Sequence, residues 1–115
     1  MTTVFWMSRL KEGVQREAYE RWLKEFDYVH SRQLDSVRSY QAHRIEGAFL
    51  QEGPFLEGQQ PYDYLEVIEV TSLEDYRRDL EENPAAKAIA AEWGDYLEVA
   101  DSLYGEFIPP GMIKA

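Results

Sequence analysis

The side chains best suited to acid/base chemistry lie on two segments with the pattern of β-strands. The first segment, VRSYQAHR, carries His43, and the second, YDYLEVIEV, carries Glu66. Imidazole and carboxyl groups are common proton carriers in enzymes that work near neutral pH. Because side chains alternate between the two faces of a strand, pairing of these segments in a hairpin predicts that His43 and Glu66 share a face and lie opposite or diagonal to each other.

The predicted cavity face mixes polar and apolar side chains, which is typical of a ligand site. It consists of Ser39, Gln41, His43, Tyr64, Glu66 and Ile68. The alternate set, Tyr40, Ala42, Leu65 and Val67, is expected to pack on helices. For His43 the alternative is a histidine hydrogen-bonded at the rim of a barrel. Burial of Glu66 is costly unless the carboxylate is paired or solvated, which favours a functional role.

A third candidate for proton transfer is His30, near the end of the first predicted helix. Its alternative role is a cation that complements the helix dipole. We expect a small aromatic or heteroaromatic ligand to be held against Trp6 and Tyr64. The predicted substrate-binding residues are Trp6, Ser8, Tyr28, Gln41 and Tyr64.

The sequence offers little to bind a metal or a nucleotide cofactor. It has two histidines and no cysteine, whereas a catalytic zinc site needs three protein ligands and a closed site needs four. No glycine-rich phosphate loop follows a predicted strand, and no G-x-S-x-G motif surrounds Ser8. We therefore expect neither a metal nor a cofactor.

Length and charge narrow the class of protein. The chain has 115 residues, so we expect a single domain spanning residues 1–115. Its net charge of −10 disfavours nucleic acid and anionic membranes as partners. The absence of cysteine and of a membrane-spanning apolar run predicts a cytoplasmic protein.

The order of periodic segments predicts β-α-β-β-α-β, the split βαβ plan of ferredoxin-like α+β domains. The segments are a strand at Thr2–Leu10, a helix at Val14–Val29, two strands around a loop at Gly47–Pro61, a helix after Ser72 that Pro84 kinks or splits and that continues to Ala100, and a strand at Leu103–Ile108.

One sheet face should lack helices and carry Trp6, Tyr64, Ile68 and Val70. A second copy is expected to cover it, which gives a homodimeric α/β barrel. The apolar residues of the long loop should be buried against the cavity mouth or the partner. They are Phe49, Leu50, Phe55 and Leu56.

Several segments together resemble the RedY-like family of prodiginine biosynthesis, within the dimeric α/β-barrel superfamily. They are FDY at the end of the first helix, VRSYQAHR, YLEVIEVTSLEDYRRDL and NPAAKAIAAEWGDYL, and the resemblance covers nearly the whole chain. It implies a homodimer with an interior cavity and a role in making or processing pyrrole- or indole-type secondary metabolites. Many relatives in the superfamily carry a histidine shortly after the proline of the second helix, where this chain has Ala85 and Ala86.

Two functions fit these expectations. One is a cofactor-free tailoring enzyme of the lyase, hydrolase or cyclase type, in which His43, His30 or Glu66 moves a proton on the ligand. The other is a binding protein that shelters or delivers a reactive intermediate without changing it. Both functions need the cavity, but only the enzyme needs the titratable groups.

Overall fold

The computed structural model describes residues 1–49, 55–57 and 60–109. The strands are β1 (Thr2–Leu10), β2 (Val37–Arg44), β3 (Gly47–Phe49), β4 (Phe55–Glu57), β5 (Tyr64–Val70) and β6 (Leu97–Glu106). The helices are α1 (Arg16–Trp22), α2 (Tyr28–Ser31), α3 (Leu73–Glu82) and α4 (Pro84–Trp93), and a π-helical turn at Leu23–Asp27 joins α1 to α2.

Four strands form an antiparallel sheet in the order β2-β5-β1-β6, and β3 pairs with β4 in a separate small ladder. The central strands β5 and β1 are flanked by the edge strands β2 and β6, as in a ferredoxin-like domain. The predicted α+β ferredoxin-like fold is therefore confirmed. Among the described residues, no helix is long and apolar enough to cross a membrane.

Local sequence signals explain where the later helices begin. The Ser72 hydroxyl accepts a hydrogen bond from the Asp75 backbone N–H at 3.0 Å, which caps α3. The Asn83 side chain accepts one from the Ala85 N–H at 2.9 Å, and Pro84 occupies the first turn of α4. The proline thus splits the second helical region, as predicted.

The last strand is longer than predicted. It starts at Leu97 rather than Leu103 and ends at Glu106 rather than Ile108. The helix α4 stops at Gly94, and Leu97 pairs with Leu10 of β1 and is only 1% exposed. Leu97 fits a helical spacing in the sequence, but its burial is achieved in the sheet.

The pairing of β2 with β5 corrects the predicted faces. His43 lies opposite Leu65, and Glu66 lies opposite Ala42, so His43 and Glu66 point to opposite sides of the sheet. A shift of one residue in register exchanges the two faces of a strand. Tyr64 and Glu66 of β5 face the helices because their hydrogen-bond partners lie on α1. The hydroxyl of Tyr64, for example, donates to Glu20 at 2.7 Å.

The face predicted to be bare is also corrected. Its expected residues Trp6, Tyr64, Ile68 and Val70 lie instead on the helix-covered side, with Tyr40 and Ala42. The side without helices carries Phe5, Met7, Leu65, Val67 and Leu103. An apolar open face exists as expected, but it is built from the alternate residues of each strand.

Part of the long loop forms the β3–β4 ladder. Phe49 is 80% exposed in the single chain, so it is not buried against the cavity mouth, and its burial against a partner stays a prediction. Leu50 and the side chains of Phe55 and Leu56 lie outside the described residues, so their predicted burial remains a prediction.

Candidate functional site

A cavity of about 330 Å³ lies between the sheet and the helices. Its sheet side includes Trp6, Tyr40, Glu66 and Ile68, and its helix side includes Asp27, Ser31, Tyr76, Ala86, Ile89 and Trp93. Most of the lining is apolar or aromatic, with two carboxyl groups at one part of the wall. An apolar lining with a few polar groups is typical of small-molecule sites.

Glu66 is placed in the cavity by the central strand β5 and is 4% exposed. Its Oε1 accepts a hydrogen bond from the Tyr19 hydroxyl at 3.1 Å. Burial, reinforced by the negative charge of Asp27, raises the pKa of Glu66 to about 7, although the Tyr19 hydrogen bond opposes the rise. Both protonation states of this carboxyl are therefore accessible near neutral pH.

Asp27 reaches the same cavity from the helical layer and is 2% exposed. Its Oδ2 accepts from the Tyr40 hydroxyl at 2.8 Å, and its Oδ1 accepts from the Ser31 hydroxyl at 3.1 Å. Burial raises the pKa of Asp27, and these two hydrogen bonds act against that rise.

The π-helical turn explains why Asp27 faces the sheet. Tyr19, Leu23, Asp27 and Ser31 are all buried, at steps of four residues. In a continuous α-helix a four-residue step drifts around the axis, because one turn takes 3.6 residues. The wider turn, in which the Tyr28 N–H bonds to the Leu23 carbonyl, opposes that drift and keeps the four positions on one face.

Aromatic side chains around the cavity contact one another across different elements. The Trp6 indole N–H donates to the Tyr76 hydroxyl at 3.2 Å, linking β1 to α3. Tyr40 packs edge-on against Tyr28, with ring centroids 4.9 Å apart. Such surfaces favour a flat ring as ligand, since aromatic rings pack edge-on or offset on one another.

The structure separates the three predicted catalytic residues. Glu66 lines the cavity, whereas His43 is exposed on the opposite face of the sheet. His30 lies on α2, where its Nδ1 is 2.8 Å from the Phe26 carbonyl oxygen and its ring stacks on Phe26. His30 is not among the residues that line the cavity.

The predicted substrate-binding residues are also dispersed. Trp6 lines the cavity, and Tyr28 lines a neighbouring groove that shares Ser31 and Tyr40 with it. Ser8 is fully buried on the helix side, and its hydroxyl has no hydrogen-bond partner among the residues that are described. Tyr64 is buried nearby on that side. Gln41 is exposed on the other face.

Sequence reasoning missed Asp27, Ser31 and Tyr40. Asp27 was visible in the FDY segment, but its orientation depends on a π-helical turn that periodicity does not reveal. Tyr40 was assigned to the correct helix-covered side, yet its contact with Asp27 spans 13 positions of sequence. Within residues 1–49, 55–57 and 60–109, no three histidine, aspartate or glutamate side chains form a group able to hold a metal ion.

Solved structures of other proteins share this fold. An EthD family protein from Bacillus halodurans is 15% identical, covers 94% of this chain and 99% of its own, and superposes with a TM-score of 0.64. SnoaB from Streptomyces nogalater, a cofactor-independent oxygenase, is 13% identical over 99% of this chain and 97% of its own, with a TM-score of 0.61. At these identities the likeness concerns the fold alone. No curated protein matches the sequence.

A nearer likeness is to HapK from Hahella chejuensis, whose crystal structure is 29% identical over 100% of both chains and superposes with a TM-score of 0.77. The family model described as REDY-like protein HapK matches residues 2–108. The match spans every strand and helix of the main sheet and its helical layer. The chain belongs to the REDY-like HapK family.

Proposed function

We propose that this protein is a cytoplasmic, cofactor-free tailoring enzyme of secondary metabolism that acts by acid/base chemistry on a small aromatic ligand in its cavity. The substrate class is a pyrrole- or indole-type precursor, in keeping with the RedY-like family. The observation that carries the proposal is Glu66, a buried carboxyl with a pKa of about 7 in the wall of an aromatic cavity.

Glu66 can act as general base or general acid because its pKa lies near the working pH. The apolar wall lowers the local dielectric and strengthens its interactions with a bound polar group. A flat ring packed against Trp6 would be held in one orientation relative to the carboxyl. The chain thereby supplies both a proton carrier and a means of positioning the substrate.

These features favour a step that needs only proton movement, such as a dehydration or a cyclisation. In a dehydration, ionised Glu66 removes a proton from the substrate, and the resulting acid returns that proton to the departing hydroxyl, which leaves as water. Atoms and electrons balance without an oxidant or a reductant. Glu66 takes the leading role here, ahead of His43, because His43 lies on the sheet face away from the cavity.

The test is turnover and binding of a panel of pyrrole and indole aldehydes, alcohols and carboxylic acids. For a compound that is converted, Glu66→Gln should lower kcat by about 100-fold or more and change Kd only slightly, since the variant keeps the shape of the side chain. Glu69→Gln, on the opposite sheet face, is the matched control and should retain full activity. Unchanged kcat in Glu66→Gln contradicts the proposal.

A second variant distinguishes the enzyme from a binding protein. Ala86→Trp places a large side chain in the cavity wall and should abolish both turnover and binding. If ligands bind saturably, Ala86→Trp abolishes that binding, and no compound is ever converted, the protein shelters or delivers an intermediate and the enzymatic proposal is wrong.

A further inference from the structure

The proposed proton transfer leaves a second buried acid without a role. Asp27 lines the same cavity as Glu66, and neither carboxylate takes part in an ion pair with any lysine or arginine of the described chain. A buried charge without a cationic partner is costly. Two such acids in one cavity therefore need an explanation beyond packing.

The Tyr40 side chain joins the two acids. Tyr40 pairs with Ile68 across β2 and β5, which makes it a diagonal neighbour of Glu66 on the same face. Diagonal neighbours in a sheet lie within reach of an aromatic side chain. The hydroxyl of Tyr40 donates to Asp27 at 2.8 Å and also favours the ionised form of Glu66. The Tyr40 hydroxyl thus acts on both carboxyl groups.

Nearby charges, more than hydrogen bonds, distinguish the two acids. Both accept hydrogen bonds, but Asp27 has the positive form of His30 nearby, whereas Glu66 faces the negative charge of Asp27. A nearby positive charge favours the ionised form of a carboxyl group, and a nearby negative charge disfavours it. Of the two acids, Asp27 is the better suited to stay ionised, and Glu66 is the better suited to carry the proton.

We propose that Asp27 is a positioning residue that acts through Glu66: the two carboxyl groups share a single proton around Tyr40, and the charge of Asp27 keeps that proton on Glu66. The role in turnover rests on the proposed function, whereas the sharing of the proton does not. Like charges held close together cannot both ionise freely, so such a pair titrates as a unit.

The other titratable groups around the pair are compatible with one shared proton. Burial raises the pKa values of the surrounding tyrosines, so their hydroxyls stay neutral donors near pH 7. His30, three residues further along the helical region, is a basic group near Asp27, and its positive form favours the ionised aspartate. The facing groups are Tyr19 from α1, Tyr28 and His30 from α2, Tyr40 from β2 and Tyr76 from α3.

The test is a carboxyl ¹³C NMR titration of the full chain. The two resonances are assigned by their loss in Asp27→Asn and in Glu66→Gln. We expect Asp27→Asn to lower the titration midpoint of Glu66 by about one pH unit, because a neighbouring negative charge is removed. Glu66→Gln should leave the Asp27 midpoint nearly unchanged, because Asp27 ionises while Glu66 is still protonated and neutral. Asp79→Asn, which alters a carboxylate on α3 that binds Ser36 outside the cavity, should change neither midpoint.

Two further readings keep the test decisive. Tyr40→Phe retains both acids but removes a donor from Asp27, so the Asp27 midpoint should rise even if the asparagine variant folds poorly. A Glu66 midpoint that is unmoved in folded Asp27→Asn overturns the proposal, and so does an Asp27 midpoint unmoved by Tyr40→Phe. Coupled titrations in a protein that converts no compound would support the pair and refute the proposed function.

For a compound that is converted, the pH profile gives a second readout. Asp27→Asn should move the midpoint of the kcat profile to lower pH by the same amount as the NMR midpoint of Glu66. A purely structural role for Asp27 would reduce activity at every pH and leave the midpoint in place. That outcome would overturn the positioning role.

Discussion

The carboxyl of Glu66 ties the stability of the folded state to pH. Its pKa rises from 4.5 to about 7 on folding, so the folded state binds this proton more tightly than the unfolded state does. The corresponding stabilisation is present in full below the unfolded value and is lost as the pH rises through about 7. Above that pH the protein carries the whole cost of a buried, ionised carboxylate.

We predict that Glu66→Gln becomes progressively more stable than the wild type as the pH is raised. The difference in unfolding free energy should grow by up to roughly 3 kcal/mol between about pH 5 and about pH 8, because each unit of pKa shift corresponds to about 1.4 kcal/mol. Urea unfolding of both proteins across this range measures it. Glu69→Gln, on the other sheet face, serves as the control. A difference that is constant with pH would contradict the buried, proton-binding state of Glu66.

The residue scale also shows where sequence reasoning stopped. Period-two alternation correctly grouped Tyr64, Glu66 and Ile68 on one face of their strand, but it did not decide which face the helices cover. The polar residues suggested a face away from the core. In the structure, Tyr64 and Glu66 are satisfied by Glu20 and Tyr19 on α1, contacts separated by more than forty positions in the sequence.

At the scale of the elements, α4 forms one wall of the cavity. It contributes Ala86, Ile89 and Trp93 to the lining, yet its start is fixed by few polar contacts. The Asn83 side chain accepts from the Ala85 N–H, and its amide donates to the Gln33 carbonyl at 3.3 Å. The cap therefore also anchors α4 to the segment after α2.

We predict that Asn83→Ala lowers the free energy of unfolding by about 1 kcal/mol, the usual cost of removing an N-cap. Asn83→Asp keeps an acceptor at the cap and should retain most of the stability. Ligand affinity should fall in the alanine variant, because the wall formed by α4 is less firmly placed. Chemical unfolding and ligand titration measure the two effects. Equal stability of both variants would show that the cap contributes nothing.

Helix and strand types were predictable from the sequence where periodicity was unambiguous, as in β1, β5 and α3. Two features of these elements could not be predicted from the sequence. The π-helical turn at Leu23–Asp27 leaves the apolar pattern of the helix intact, so the sequence still suggested a regular helix with FDY at its end. At β6, Leu97 continued a helical spacing, and only its pairing with Leu10 shows that the helix had ended.

At the scale of the whole molecule, the sheet face without helices leaves apolar side chains uncovered. Two rows of side chains cross it: Leu103, Phe5 and Val67 lie side by side in one, and Met7 and Leu65 lie side by side in the next. Leu103 is 61% exposed. Contiguous apolar surface of this kind marks an interaction site on most soluble domains.

We predict that the protein is a homodimer in which this face packs against the same face of a second copy. Full burial of an exposed apolar side chain contributes about 1.5–3 kcal/mol, and four of these five are already half-buried, so each adds only part of that. Because a dimer buries the five from each copy, their sum still offsets the lower estimates of the cost of association. Val67→Glu, at the centre of the face, should convert the dimer to monomer, since it places an unpaired charge in the interface.

The control is Glu69→Gln. Glu69 lies on the same strand and face, beside Ser39 near the end of β5, so this variant should stay dimeric. Sedimentation at micromolar concentration distinguishes one chain mass from two. A wild-type protein that sediments as a monomer would refute the dimer, and a dimeric Val67→Glu would place the interface elsewhere.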